Sequence, residues 1–364
     1  MALILTFLGK GGTGRTTIAI AAAKKFAASG KRVLLAGQEP GPALGIMLRA
    51  TVSGEPQEIA PNLKAVQFQS TLLLEKRWEE LKTLEAQYLR TPFFKQVYGQ
   101  ELGILPGMDS ALALDALREY DASGQYDVIV YDGSGGLEEL RMLGMAEILS
   151  WYIRRFRQVF ADSDLGKSLS PFVQPVVSTV LNVDWSGDNF AQPAQQVNNI
   201  LDQGRGAIAD PNRVAAYLVT NGEESAIATA RYLWGSSQQV GLTVGGVILN
   251  QSAVTETIAA EFAPLTAVSI PVAGNNNWQQ LMDALPDFSK ASEAPKPITI
   301  NVADRQVSLF LPGFDKKQIK LTQSGPEVTI DAGDQRRNIL LPPALTGKSV
   351  TGAKFQNSYL IISF

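Results

Sequence analysis

Through its first 285 residues the chain alternates short, almost wholly apolar runs with longer amphipathic stretches. Leu3–Leu8, residues 32–36 and 127–131, Val214–Thr220, and residues 243–249 and 267–272 read as buried strands, with helix-forming sequence between them. Strands alternating with helices predict a doubly wound, mostly parallel α/β sheet that binds ligands at the carboxyl ends of its strands. Residues 17–29, packed with alanine and stopped by Gly30, predict a helix directly after the first strand. Two stretches, about 70–120 and 137–210, are too helical for plain crossovers and predict an inserted helical subdomain above the sheet. Near Phe288 the pattern changes. Residues 289–297 read as a polar, proline-containing linker. Beyond it apolar positions fall at every second residue (Ile298, Ile300, Val302, then Val307, Leu309, Leu311), with turns at Pro312-Gly313 and Ser324-Gly325-Pro326. That period predicts a small antiparallel β domain over 298–364, following an α/β domain over 1–288.

Between the first strand and the first helix lies Gly9-Lys-Gly-Gly-Thr-Gly-Arg-Thr-Thr17. A phosphate-binding loop follows G-x-x-x-x-G-K-[ST]: backbone N–H groups cradle phosphates, the lysine reaches β/γ oxygens, and the hydroxyl holds Mg²⁺. Gly9 and Gly14 frame such a loop, with Lys10, Gly11, Gly12 and Thr13 between them and Thr16 as the Mg²⁺ ligand. The helix N-terminus, at Thr16 and Thr17, adds its dipole to the loop amides. The pattern predicts a nucleoside triphosphate and Mg²⁺ as cofactors. Arg15 stands in the lysine position, and a planar fork is not equivalent to a compact ammonium at a tight phosphate site. Binding is expected to survive this change better than hydrolysis does.

Composition narrows the chemistry. The 364 residues, 45% hydrophobic, suffice for a large core and two domains. Cysteine and histidine are both absent, which removes disulfides, thiolate metal sites, thiol nucleophiles and Ser-His-Asp arrangements. A net charge of −3 gives no reason to expect nucleic-acid binding. Without an apolar run near the ~20 residues of a membrane span, or a signal-peptide pattern, the chain is expected to be soluble and cytoplasmic, with no stable membrane insertion. Two carboxylates then stand out. Asp132 ends a strand and is followed by Gly133-Ser-Gly-Gly136, where it can orient a Mg²⁺-bound water beside a loop that senses the γ-phosphate. Glu39, before Pro40 at the end of the second strand, either positions the attacking water or is a solvated loop residue.

The loop sequence resembles the deviant phosphate loop G-K-G-G-x-G-K-[ST]-T of the arsenite-pump (ArsA-like) and tail-anchored-protein-targeting ATPases. The resemblance implies a homodimer in which Lys10 crosses the interface to the partner's phosphates. Glu39-Pro40 matches the family's Asp-Pro, and residues 132–141 match D-T-A-P-T-G-H-T-L-R in length and at Asp132, Leu140 and Arg141. Val247-Ile-Leu-Asn250 resembles the element whose asparagine reads adenine, and Pro271 resembles part of the base-binding loop. The family's zinc-joining C-x-x-C has no counterpart, so no zinc is expected. Arg15, Glu39 and the altered second switch together argue against fast hydrolysis. The β domain, through Leu311-Pro-Gly-Phe314 and residues 318–321, 328–330, 339–342 and 353–362, resembles the α-crystallin sandwich of small heat-shock proteins. This combination is similar to a cyanobacterial and plastid branch of the family.

One further pattern bears on partners. Met142, Met145, Leu149, Tyr152, Phe156 and Val159 recur at helical spacing, and Phe172, Val176 and Val180 lie on a following apolar stretch. Such stripes form either plain core or a repackable client groove. The cluster Arg154, Arg155 and Arg157 reads as a solvated face or as a contact for acidic lipids or client flanks. The resemblance implies a homodimeric ATPase acting as a nucleotide-gated chaperone or targeting factor for hydrophobic polypeptides, tail-anchored membrane proteins among them. The alternative is a binding module that holds nucleotide structurally and chaperones constitutively.

Overall fold

The computed structural model describes residues 1–88, 107–162, 191–272 and 277–364. Its centre is an eight-stranded sheet built from β1 (Leu3–Leu8), β2 (Val33–Gly37), β3 (Gln57–Ala60), β4 (Leu63–Gln67), β5 (Val128–Asp132), β6 (Val214–Thr220), β7 (Val244–Asn250) and β8 (Ala267–Ile270). The order is β3-β4-β2-β5-β1-β6-β7-β8, parallel except for the edge strand β3, so the expected doubly wound α/β class holds. Successive residues of each central strand enter opposite cores. Leu5, Phe7, Val128, Val130, Ala215 and Tyr217 pack on one face, against α1 (Arg15–Ala28). Leu8, Ile129, Tyr131, Val214, Ala216 and Leu218 pack on the other. That double burial is why these strands read as unbroken apolar runs. The alanines at positions 19 and 21–23 let α1 lie close on the sheet.

Helix α2 (Ala43–Leu48) follows β2, and α3 (Ser70–Tyr88) and α4 (Met108–Ala122) follow β4. Ala113, Ala116 and Leu117 of α4 join Phe68 and Tyr131 in the second core. This part of the expected helical insert therefore serves as a crossover layer on the sheet. Arg77 on α3 bridges to Asp115 and Glu119 on α4, fixing the pair. The expected helical face from Met142 to Val159 is divided at Gly144 into α5 (Leu137–Leu143) and α6 (Met145–Asp162). Met142 consequently turns into the core, its thioether 3.6 Å from the Tyr131 hydroxyl, while Met145 and Leu149 are half-buried and Tyr152 is exposed. Phe156 lies on α6, whereas Phe172, Val176 and Val180 fall outside the described residues. Helices α7 (Ala191–Ala209), α8 (Glu224–Gln239), α9 (Glu256–Glu261) and α10 (Trp278–Ala284) complete this unit. Among the described residues no helix is long and apolar enough to cross a membrane.

The stretch expected to be a linker is held at its start. Phe288–Glu293 is a 3-10 turn whose Phe288 packs edge-on to Tyr217 at 4.8 Å and sits in the α1-side core with Ala291. Beyond it, β9 (Ile298–Asn301), β10 (Gln306–Phe310), β14 (Gly352–Gln356) and β15 (Tyr359–Ser363) form one antiparallel sheet, in the order β14-β15-β10-β9. Strands β11 (Ile319–Ser324), β12 (Glu327–Ala332) and β13 (Gln335–Leu340) form another. Val307, Leu309, Val328, Ile330, Leu360 and Ile362 fill the space between them. This β domain rests on α8. Phe310 stacks edge-on to Trp234 at 5.4 Å, and a Cβ on Gly235 would collide with the Pro312 carbonyl and the Phe314 ring. The β12–β13 hairpin reaches further, to α5 and α6: Arg141 pairs with Asp334 at 2.5 Å and Arg154 with Glu327 at 3.2 Å. Arg337 is half-buried against α8, donating to the Gln238 carbonyl at 2.7 Å, and desolvation pushes its guanidinium down to about 10.

Candidate nucleotide site

The carboxyl ends of β1, β2, β5 and β7 meet at one edge of the sheet, and the loop after β1 occupies that edge. Gly14 ends the loop in a left-handed conformation, φ 92°, and a Cβ there would strike the Asn250 side chain. Only glycine satisfies both conditions. Asn250, at the end of β7, donates from Nδ2 to the Thr13 carbonyl at 2.9 Å. The Thr13 hydroxyl in turn donates to the Lys10 carbonyl at 2.8 Å, closing the turn. Space beside Gly11 and Gly12 is open. Helix α1 begins without a side-chain cap or an acidic residue in its first turn. Its leading N–H groups and positive dipole are therefore left for an anion.

Five side chains lie around this cradle. Arg15 Nη1 donates to the Gly133 carbonyl at 3.1 Å and lies directly over Gly135. Thr16 hydrogen-bonds to the buried Asp132 carboxylate at the end of β5. Burial pushes the Asp132 carboxyl above its ordinary value, opposed by Thr16 and the Arg15 charge, with Glu39 adding to the rise. Hydroxyl and carboxylate oxygens side by side are the hard donors that suit Mg²⁺. Glu39 is exposed, on a loop anchored by Gln67, whose amide donates to the Glu39 and Gly41 carbonyls, each at 2.6 Å. Lys10 faces its own chain: Nζ donates to the Ser225 hydroxyl at 2.8 Å and pairs with Glu223 at 3.5 Å, where α8 begins.

The structure thus brings together Lys10, Thr13, Gly14, Arg15, Thr16, Asp132 and Asn250, with Thr17 one residue further along α1. Pro271 is set apart. It follows β8 at the sheet edge, beside the β7 end, where the Gln251 N–H donates to the Ile270 carbonyl at 2.8 Å. The Asn250 amide, expected at the base, is engaged by the phosphate loop.

Sequence reasoning missed Glu139. Its carboxylate is buried beneath the second loop, accepting from the Gly135 N–H at 2.7 Å and from the Thr6 hydroxyl of β1. Burial pushes it up to about 7, against the pull of Thr6, the Gly135 N–H and the Arg15 charge. A signal was present: Glu139 shares the inward stripe of α5 with Leu140, Met142 and Leu143. A carboxylate on a helix's apolar stripe is seldom left unpartnered.

Residues 2–267 match the family model described as anion-transporting ATPase, and residues 303–364 match one described as an HSP20-like domain found in ArsA. A putative arsenical pump-driving ATPase of Prosthecochloris vibrioformis is 24% identical, over 99% of this chain and 95% of its own. The ATPase GET3 of Malassezia globosa is 22% identical over 67% of this chain and 70% of its own. The ATPase ASNA1 homolog 1 of Paramecium tetraurelia is 27% identical over 42% of this chain and 46% of its own.

Proposed function

This chain belongs to the ArsA family of anion-transporting ATPases, and from that premise we propose that it is a homodimeric, Mg²⁺-dependent ATPase whose nucleotide state gates the binding of hydrophobic polypeptides. The relatives named ATPase GET3 and ATPase ASNA1 homolog support a chaperone or targeting role, with tail-anchored membrane proteins as one client class. The observation that carries the reading is the open cradle ahead of the uncapped α1, flanked by Arg15 on one side and the Thr16–Asp132 pair on the other.

In this reading the loop N–H groups and the α1 terminus hold the β- and γ-phosphates, and Arg15 leaves the Gly133 carbonyl to join them. Thr16 and Asp132 would hold Mg²⁺, which would neutralise charge developing on the phosphates. Glu39, on its anchored loop, orients water. Asn250 braces the loop through Nδ2 and offers its amide oxygen to the adenine amino group, with Pro271 flanking the base. Lys10 is held by an exposed pair, and such pairs yield readily, so it is free to cross to a second copy's phosphates. Client contact falls to α6, where Ile148 and Tyr152 present apolar surface to solvent next to the half-buried Met145 and Leu149.

Calorimetric titration of ATP with Mg²⁺ into the purified chain, with phosphate release followed in the same sample, tests this. Saturable binding with slow turnover is expected, together with dimerisation on binding in light scattering. Binding without turnover would sink the ATPase reading, and absence of binding would sink the nucleotide reading altogether.

A further inference from the structure

The residue that replaces the loop lysine and the carboxylate buried beneath the second loop are joined by one short path. Glu139 Oε2 accepts from the Gly135 N–H at 2.7 Å. The Gly135 carbonyl accepts from the Gly9 N–H at 2.9 Å, so the second loop is tied to the root of the phosphate loop. Two residues earlier, the Gly133 carbonyl accepts from Arg15 at 3.1 Å. Gly135 sits at φ 66°, and a Cβ on it would overlap the Arg15 guanidinium. The guanidinium therefore rests in a slot that exists because residue 135 is glycine. Opposite it, Glu139 is anchored to β1 through Thr6. Neither end of this chain of contacts is exposed: Glu139 is buried and Arg15 half-buried.

A lysine reaches phosphate alone, as a point charge, whereas arginine brings a rigid fork that must be aimed. The contacts supply the aim. We propose that Glu139 is a positioning residue for the phosphate site: through the 133–136 loop it sets where the Arg15 guanidinium stands, so that phosphate-binding cation and second loop move as one unit. A γ-phosphate that draws Arg15 off the Gly133 carbonyl then releases one tie on the loop, while the Glu139 and Gly9 ties at Gly135 remain. The raised affinity of Glu139 for a proton agrees with a carboxylate retained in the core for its hydrogen bonds and not for general stability. This inference rests on the nucleotide reading given above.

The test titrates ATP with Mg²⁺ into the full chain and into Glu139→Ala and Glu139→Gln variants, each with and without Arg15→Lys. Glu139→Ala is expected to weaken ATP binding about 10-fold with Arg15 present and by less than about 2-fold in the Arg15→Lys background, a coupling that general destabilisation does not produce. Glu139→Gln keeps an acceptor for the Gly135 N–H and is expected to recover most of the loss. Equal losses in both backgrounds overturn the proposal, and so does an unchanged affinity. Should Glu139→Ala fail to fold, Gly135→Ala carries the same comparison. Its new Cβ obstructs the guanidinium, so its loss is expected to be greater with Arg15 than with Arg15→Lys, and equal losses overturn the proposal. A wild type that binds no ATP defeats both the nucleotide reading and this one, whereas equal losses on a wild type that binds defeat this one alone.

Discussion

Asp132 and Glu139 are two carboxylates about one helical segment apart, and their surroundings give them different work. Asp132 stands at the strand end, hydrogen-bonded to the Thr16 hydroxyl; Glu139 spends both oxygens on protein donors. Asp132→Asn is expected to lower Mg²⁺-dependent ATP affinity by roughly 10- to 100-fold while leaving binding in excess chelator nearly unchanged, as loss of a metal-directed carboxylate does. Titrations with and without Mg²⁺ check this. Glu139 makes a prediction in pH. Its carboxyl is raised from 4.5 to about 7 in the folded chain, so between those values the native state binds more protons than the unfolded one. Stability then falls as pH rises through that window and levels off above it. Glu139→Gln removes the titrating group. The difference in unfolding midpoint between wild type and variant is expected to change across pH 4.5 to 7 and to be flat at higher pH. The difference is the quantity to follow, because Asp132, also raised, bends both curves in the same direction.

At the scale of elements, α3 and α4 are joined by charge as well as by apolar contact. Arg77 and Asp115 are both buried, and Glu80 and Glu119 complete the arginine's partners. Removing one member of a buried pair leaves the other uncompensated, at a cost of about 3–5 kcal/mol. Arg77→Leu is expected to lose about that much in urea-induced unfolding; a loss within about 0.5 kcal/mol would place the pair among the solvent-screened ones. The division of 137–162 into α5 and α6 is the second lesson at this scale. Helical spacing extends across Gly144, yet the glycine backbone lies so close to Val240 that a Cβ there would crowd it. The two helices therefore face different surroundings: Met142 belongs to the core, whereas Tyr152, about two turns into α6, meets solvent.

For the whole molecule, the α/β unit and the β domain share packing instead of hanging from a flexible tether. Phe310 belongs to the same core as Trp234, and Arg337 donates to the Gln238 carbonyl of α8. Gly235→Val, which places side-chain bulk against the Pro312 carbonyl and Phe314, is expected to cost about 1–3 kcal/mol and to split thermal unfolding into two transitions. A single unshifted transition would show that α8 does not seat the β domain. Much of this was legible in one dimension. Apolar runs buried on two faces leave few alternatives to a parallel sheet, and Gly9 and Gly14 after a strand mark a tight glycine turn into α1, which the left-handed Gly14 against Asn250 makes. The period-two alternation after residue 298 likewise marked the β domain, because alternate strand residues face one core. What folding in three dimensions decided were contacts between segments far apart in the chain. Among them are the pairing of Lys10 with Glu223, the engagement of Asn250 by Thr13, the seating of the β domain on α8 and the burial of Glu139 under the loop that holds Arg15. Local patterning determines which elements form, since it depends on neighbours three or four residues away. Which buried carboxylate meets which N–H depends on strand order and helix approach, and those are settled only when the sheet closes its two cores.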